Sequence, residues 1–131
     1  MAKVLLTDDE PTIVFLTKKI LEKEGHEVVV AENGEECMGM LKNDRPDLIL
    51  LDVMMPGESG WEVCRKIKED EKTRDIPVAM FTVRSSEDSV KKSLEYAHAD
   101  TQIDKPFKIE ELFQVVNNFF KKNEKVILNQ F

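Results

Sequence analysis

Three aspartates and a lysine stand where apolar runs end in this chain. Asp8 and Asp9 follow Val4-Leu5-Leu6, Asp52 follows Leu48-Ile49-Leu50-Leu51, and Lys105 lies between Ile103 and Pro106. Carboxylates gathered at one place repel one another, and a bound cation is the simplest partner that makes the gathering tolerable. A hard cation of the Mg²⁺ kind, or Mn²⁺, takes one or two carboxylates, keeps several waters and is usually completed by phosphate oxygens. The residue types therefore point to phosphate chemistry beside a metal. Each residue also has a plainer reading. A helix cap accounts for one of Asp8 and Asp9 but poorly for both, and Glu10 follows them. Asp52 alone fits a turn, and Lys105 alone fits a solvated loop. The four become informative only if the fold brings them together.

The elements that would do so are legible as alternation. Short apolar runs alternate with amphipathic stretches five times. Strands are predicted over residues 3–7, 27–31, 47–51, 77–81 and 101–104. Three of these are near-continuous Val, Leu or Ile, as strands buried on both faces require. The first helix is predicted over 11–23, with Pro11 in its first turn and Gly25 at its C-terminal cap. The second begins at Asn33, followed by Glu35 and Glu36, acids that suit the positive end of a helix. The third carries Trp61, Cys64 and Ile67, and the fourth Val90, Leu94 and Ala97. The last carries a wide stripe of Ile109, Leu112, Phe113, Val116 and Phe120. Five βα units predict an α/β fold, a doubly wound parallel sheet with helices on both faces. In such sheets the carboxyl ends of the strands lie on one edge, where ligands bind.

Composition narrows the partners. At 131 residues the chain is one domain of ordinary size. Its body is expected over 1–122, with 123–131 as an extension of the last helix or a frayed tail. A net charge of −7 argues against a surface that binds nucleic acid directly. No apolar run reaches the length of a membrane span. The start, Met-Ala-Lys-Val-Leu-Leu, runs into a strand with no signal-peptide pattern, so the expected location is cytoplasmic. Cys37 and Cys64 lack metal-ligand spacing and are expected as reduced, packed thiols.

Four motifs in order carry a resemblance. Asp8-Asp9 follows the first strand, Asp52-Val53-Met54-Met55-Pro56-Gly57 the third, Thr82 the fourth and Lys105-Pro106-Phe107 the fifth. Together they resemble the receiver domain of two-component response regulators, over about residues 3–122. The resemblance implies a flavodoxin-like, five-stranded sheet ordered 2-1-3-4-5. It implies that Asp52 is the phosphoacceptor, attacking a phosphohistidine on a sensor histidine kinase or phosphotransfer protein. Asp9 would bind Mg²⁺ directly, Asp8 mostly through water, and Met54 through its backbone carbonyl. Thr82 and Lys105 would each hold a phosphoryl oxygen. Such a domain is a signalling module that acts only on its own phosphorylation and dephosphorylation. Its output is binding, with a partner protein reading the face of the fourth helix, fifth strand and fifth helix. A monomer or weak dimer is implied, either standing alone or excised from something larger.

Several positions depart from the family. An aromatic residue is usual three before the lysine, and here Gln102 stands there. Activation is therefore expected to run through the loop after Thr82 and the fourth helix. Val83 replaces a small residue and should slow labelling by small donors. In that family the positions of Met54 and Arg84 flank the path of the hydrolytic water; here they are expected to shield the acyl phosphate, or Arg84 reaches into solvent. His98 replaces a frequent glycine and is expected to demand a different turn, and His26 is expected at the surface. Gln102 keeps open a module of the same fold that works without phosphorylation. An FMN carrier is disfavoured, because Asp8-Asp9-Glu10 would repel a phosphate after the first strand. An aspartate phosphatase wants a second acid where Met54 stands.

Overall fold

Five apolar runs form five strands: β1 (Lys3–Thr7), β2 (Glu27–Ala31), β3 (Leu48–Asp52), β4 (Val78–Thr82) and β5 (Thr101–Asp104). The helices between and after them are α1 (Pro11–Lys23), α2 (Gly34–Leu41), α3 (Gly60–Glu69), α4 (Glu87–Lys91) and α5 (Ile109–Leu128); a π-helical turn (Lys92–Tyr96) continues α4. The computed structural model describes residues 2–83 and 87–128, with side chains as far as 119. The sheet is wholly parallel and ordered β2-β1-β3-β4-β5. That is the doubly wound architecture the alternation predicts and the order the resemblance implies.

Every residue of β3 and β4 is buried, which explains their unbroken apolar character. Alternate residues feed two cores. Ile49, Leu51 and Met80 meet Val63, Cys64 and Ile67 of α3 on one face. Leu48, Leu50, Phe81 and Ile103 meet Leu21 of α1 and Leu112 and Val116 of α5 on the other. Each large side chain so buried contributes about 1.5–3 kcal/mol. Both cysteines are fully buried and unpaired. Burial pushes the Cys64 thiol up to about 12, so it packs as a neutral group.

Helix ends follow local chemistry. The Asn33 side chain accepts the Glu36 N–H at 2.9 Å and caps α2. Gly25, at φ +89°, ends α1 in the left-handed region, and its N–H reaches the Glu22 carbonyl.

Four expectations need correction. The third and fourth strands start and stop one residue later than predicted, at Leu48–Asp52 and Val78–Thr82. Pro77 has no N–H to give the ladder, although its carbonyl accepts from Ile49. Asp47 instead ties the chain to Lys3, accepting the Lys3 N–H on its carboxylate at 2.8 Å. Asp52 and Thr82 are therefore the last paired residues of their strands, opposite Phe81 and Asp104. The fourth helix does not bury Val90 and Leu94 with Ala97. Leu94 is exposed, and the inward face is Ser89, Ser93 and Ala97. The π turn inserts one residue and closes with Ala97 N–H on the Lys92 carbonyl. His98 keeps a glycine-type turn, at φ +59°. His26 is half-buried, and its Nδ1 accepts the Ala2 N–H at 3.0 Å. Burial holds its imidazole below the usual histidine range.

Candidate phosphoryl and metal site

The carboxyl ends of β1, β3, β4 and β5 deliver the site residues to one edge. Asp8 follows β1 and is fastened twice. Its Oδ1 accepts the Glu10 N–H at 3.0 Å, and its Oδ2 accepts from Lys105 Nζ at 2.6 Å. Neither acid caps α1, whose N-cap residue is Glu10 with no side-chain cap; Asp8 Oδ1 closes a local turn instead, while Oδ2 faces a lysine 97 residues away. Asp9 is exposed at the rim of the same edge. Asp52 is 5% exposed, and its Oδ1 lies 3.5 Å from the same ammonium. Oxygens of Asp8, Asp9 and Asp52 fall within 4.8 Å of one another. Two oxygens on one Mg²⁺ at ~2.1 Å lie at most about 4.2 Å apart, so a small contraction or one bridging water suits the set.

Electrostatics agree with a site awaiting positive charge. Burial, and then the charge of Asp8, raise the Asp52 carboxyl to about 6. Lys105 and the Met54 N–H, which donates to Oδ1 at 3.3 Å, act against that rise. Lys105 itself is buried at 8% exposure. Its ammonium lies 4.9 Å from the Phe81 ring centre, a cation–π contact that compensates for lost water. Phe107 packs on the same ring at 5.3 Å. The Lys105–Pro106 bond is cis.

Thr82 is fully buried at the end of β4, and its carbonyl accepts the Lys105 N–H at 2.7 Å. Val83 is 63% exposed and Met54 52% exposed at the rim. Arg84 lies outside the described residues. Sequence reasoning missed one positioning residue, Gly60. A Cβ there would stand 2.0 Å from the Asp52 carbonyl oxygen. Only glycine lets the start of α3 press against the end of β3, where its N–H bonds the Val53 carbonyl. The adjacent Ser59 caps α3 by accepting the Glu62 N–H, which marks the helix start in the sequence without revealing the close approach.

A family model described as the response regulator receiver domain matches residues 4–117. The chain belongs to the response regulator receiver domain family. Protein PilH of Pseudomonas aeruginosa is 38% identical over 87 residues, covering 66% of this receiver and 72% of that protein. The phosphate regulon transcriptional regulatory protein PhoB of the same organism is 43% identical over 109 residues. That match covers 83% of this chain but only 47% of PhoB, so the receiver spans about half the length of that relative. Among solved structures, the signal receiver domain of a histidine kinase from Syntrophus aciditrophicus aligns with TM-score 0.86 and 36% identity, over 93% of this chain and 92% of that one. Chemotaxis response regulator CheY4 of Vibrio cholerae aligns with TM-score 0.83 and 29% identity, over 91% and 98%. Receiver domains are two-component signalling modules rather than ordinary enzymes, and they bind Mg²⁺ at an acidic pocket. Among the described residues no helix is long and apolar enough to cross a membrane.

Proposed function

We propose that this receiver accepts a phosphoryl group on Asp52 from a phosphohistidine of a sensor histidine kinase or phosphotransfer protein. The observation that supports it best is the convergence of Asp8, Asp9 and Asp52, with buried Lys105 set against Asp8 and Asp52. An Asp52 oxygen forms a bond to phosphorus while the phosphorus–nitrogen bond to the donor breaks. The electron pair leaves with the imidazole, which then takes a proton from solvent. The protein's part is positioning and charge neutralisation, since the transferred group needs little covalent help. Lys105 holds one equatorial oxygen and the Thr82 hydroxyl another. Asp9 would hold Mg²⁺ directly and Asp8 through water, with Asp52 and the Met54 carbonyl completing the protein's share; when bound, the ion would supply neutralisation of phosphoryl charge. The cation–π contact with Phe81 offsets part of the water lost by the buried Lys105 ammonium.

The body of the domain is 1–122, acting in the cytoplasm as a monomer or weak dimer. Its output is a change in partner binding at the face of α4, β5 and α5. Incubation with a phosphodonor and Mg²⁺, followed by intact mass, should add one phosphate to the wild type and none to Asp52→Asn. An unlabelled wild type would favour the module that works without phosphorylation. Val83→Ala should label faster with acetyl phosphate, because Val83 guards the rim beside Thr82; equal rates would remove that role.

A further inference from the structure

The fourth helix sits on the sheet with the wrong side inward by hydrophobic criteria. Its inner face is Ser89, Ser93 and Ala97, while Leu94 is 42% exposed and Val90 is only partly covered. A helix normally buries its apolar stripe, so something specific must hold this one. The buried hydroxyl of Ser93 supplies it. Ser93 is 0% exposed, accepts from the Trp61 indole Nε1 at 2.9 Å and donates to Gln102 Oε1 at 2.6 Å. Gln102 Nε2 in turn donates to Asp104 Oδ1 at 3.1 Å. One chain of hydrogen bonds thus runs from α3 through the π turn to the end of β5. Lys92 reinforces it from outside, with its ammonium 4.5 Å from the Trp61 ring centre.

The last link touches the chemistry. Asp104 pairs with Thr82 in register and immediately precedes Lys105. The Lys105 ammonium is held by Asp8 at 2.6 Å and lies 3.5 Å from Asp52. A phosphoryl oxygen on Asp52 would compete with Asp8 for that ammonium, and any shift of Lys105 is felt by the residue bonded before it.

We propose that Ser93, Gln102 and Trp61 form a polar latch that holds the π turn against β5 and keeps Leu94 turned to solvent, and that loading of the Asp52 site opens it. The proposal rests on the phosphoacceptor reading. Ser93 and Gln102 act as positioning residues, and neither touches the reacting atoms. A latch of hydrogen bonds suits this task better than an apolar contact. Its links are directional and fail together when one is displaced, whereas a packed side chain tolerates small slides.

The chain has one tryptophan, so its emission reads Trp61 alone. Ser93→Ala removes both bonds to the hydroxyl with little change in volume, and Gln102→Met removes the acceptor at nearly constant volume. In each variant the amides of Ala97 and Ala99, which bond the Lys92 and Ser93 carbonyls, should exchange roughly fivefold faster than in wild type. Trp61 emission should shift as well. Beryllofluoride with Mg²⁺ should move both readouts the same way in wild type and add nothing in Ser93→Ala. Unchanged protection in both variants overturns the latch, and so does a full beryllofluoride response in Ser93→Ala. Intact mass after phosphodonor treatment separates the two failures. A wild type that takes up phosphate without change at Ala97 and Ala99 defeats the latch and leaves the phosphoacceptor reading intact. A wild type that takes up none defeats the reading beneath it.

Discussion

The two halves of the sheet edge are built on opposite principles. Around β1 and β3, three carboxylates crowd together with one lysine among them, and the Asp52 carboxyl is pushed up to about 6. Around β4 and β5, a hydrogen-bonded chain runs from Trp61 through Ser93 and Gln102 to Asp104, each donor facing an acceptor. The first half stores unfavourable electrostatics that a cation and a phosphoryl group with its lysine partner can relieve. The second half is satisfied as it stands and loses bonds when displaced. A site that gains on binding, beside a contact that loses on movement, is how occupancy at one place is converted into displacement at another.

The contrast can be attacked from its strongest point downward. Gly60→Ala would drive a methyl into the Asp52 carbonyl at 2.0 Å. Its neighbour is backbone that cannot swing away, so a loss of about 2–4 kcal/mol is expected by urea unfolding, together with weakened Mg²⁺ binding. Stability within ~0.5 kcal/mol of wild type would show that α3 does not need that approach.

The next effect concerns pH. The Asp52 carboxyl titrates near 6 in the folded protein, above its ordinary 3.8. Between those values the folded state holds more protons than the unfolded one, so stability falls as pH rises from about 4 to 6. Asp52→Asn removes this slope and should be more stable than wild type at pH 7 by on the order of 1–3 kcal/mol, with the difference fading towards pH 4. Saturating Mg²⁺, at ~100 times its dissociation constant, should restore about 2.7 kcal/mol to the wild type and much less to Asp52→Asn. Parallel stability curves for the two proteins across this range would break the comparison at its charged end.

The smallest effect lies beyond the polar half. His98 occupies the left-handed region at φ +59°, which costs a non-glycine residue about 1–2 kcal/mol. Glycine relieves that but loses more freedom on folding, by roughly 0.5–1 kcal/mol. His98→Gly should therefore raise stability by up to about 1 kcal/mol without altering phosphate uptake. A destabilised variant would mean that the imidazole makes a contact worth more than the strain.

How much of this could be read from the chain differs between the same two halves. Asp8, Asp9, Asp52 and Lys105 declare themselves because each ends an apolar run, and strand ends converge in a parallel sheet. The alternation marks five strands and their helices, with errors of one residue at β3, where Asp47 ties to Lys3 instead, and at β4, which Pro77 precedes. The polar half was opaque. Val90, Leu94 and Ala97 have ordinary helical spacing, and nothing local announces that an inserted residue turns Ser93 inward instead. The pairing of Ser93 with Trp61 and Gln102 spans 32 and 9 residues, and each is an unremarkable residue alone. Gly60 does not declare itself in the sequence, because a clash with the Asp52 carbonyl leaves no trace in spacing. Gln102 was legible only as a departure, without its partners.

The length of α5 carries a practical consequence. Its 20 residues extend about 30 Å, whereas a five-residue strand spans roughly 17 Å. Following the last strand of a parallel sheet, the helix sets out from the acidic edge and returns past the opposite pole. The C-terminal end of α5 at Leu128 therefore lies at the far end from Asp52, away from both the incoming donor and the α4 surface.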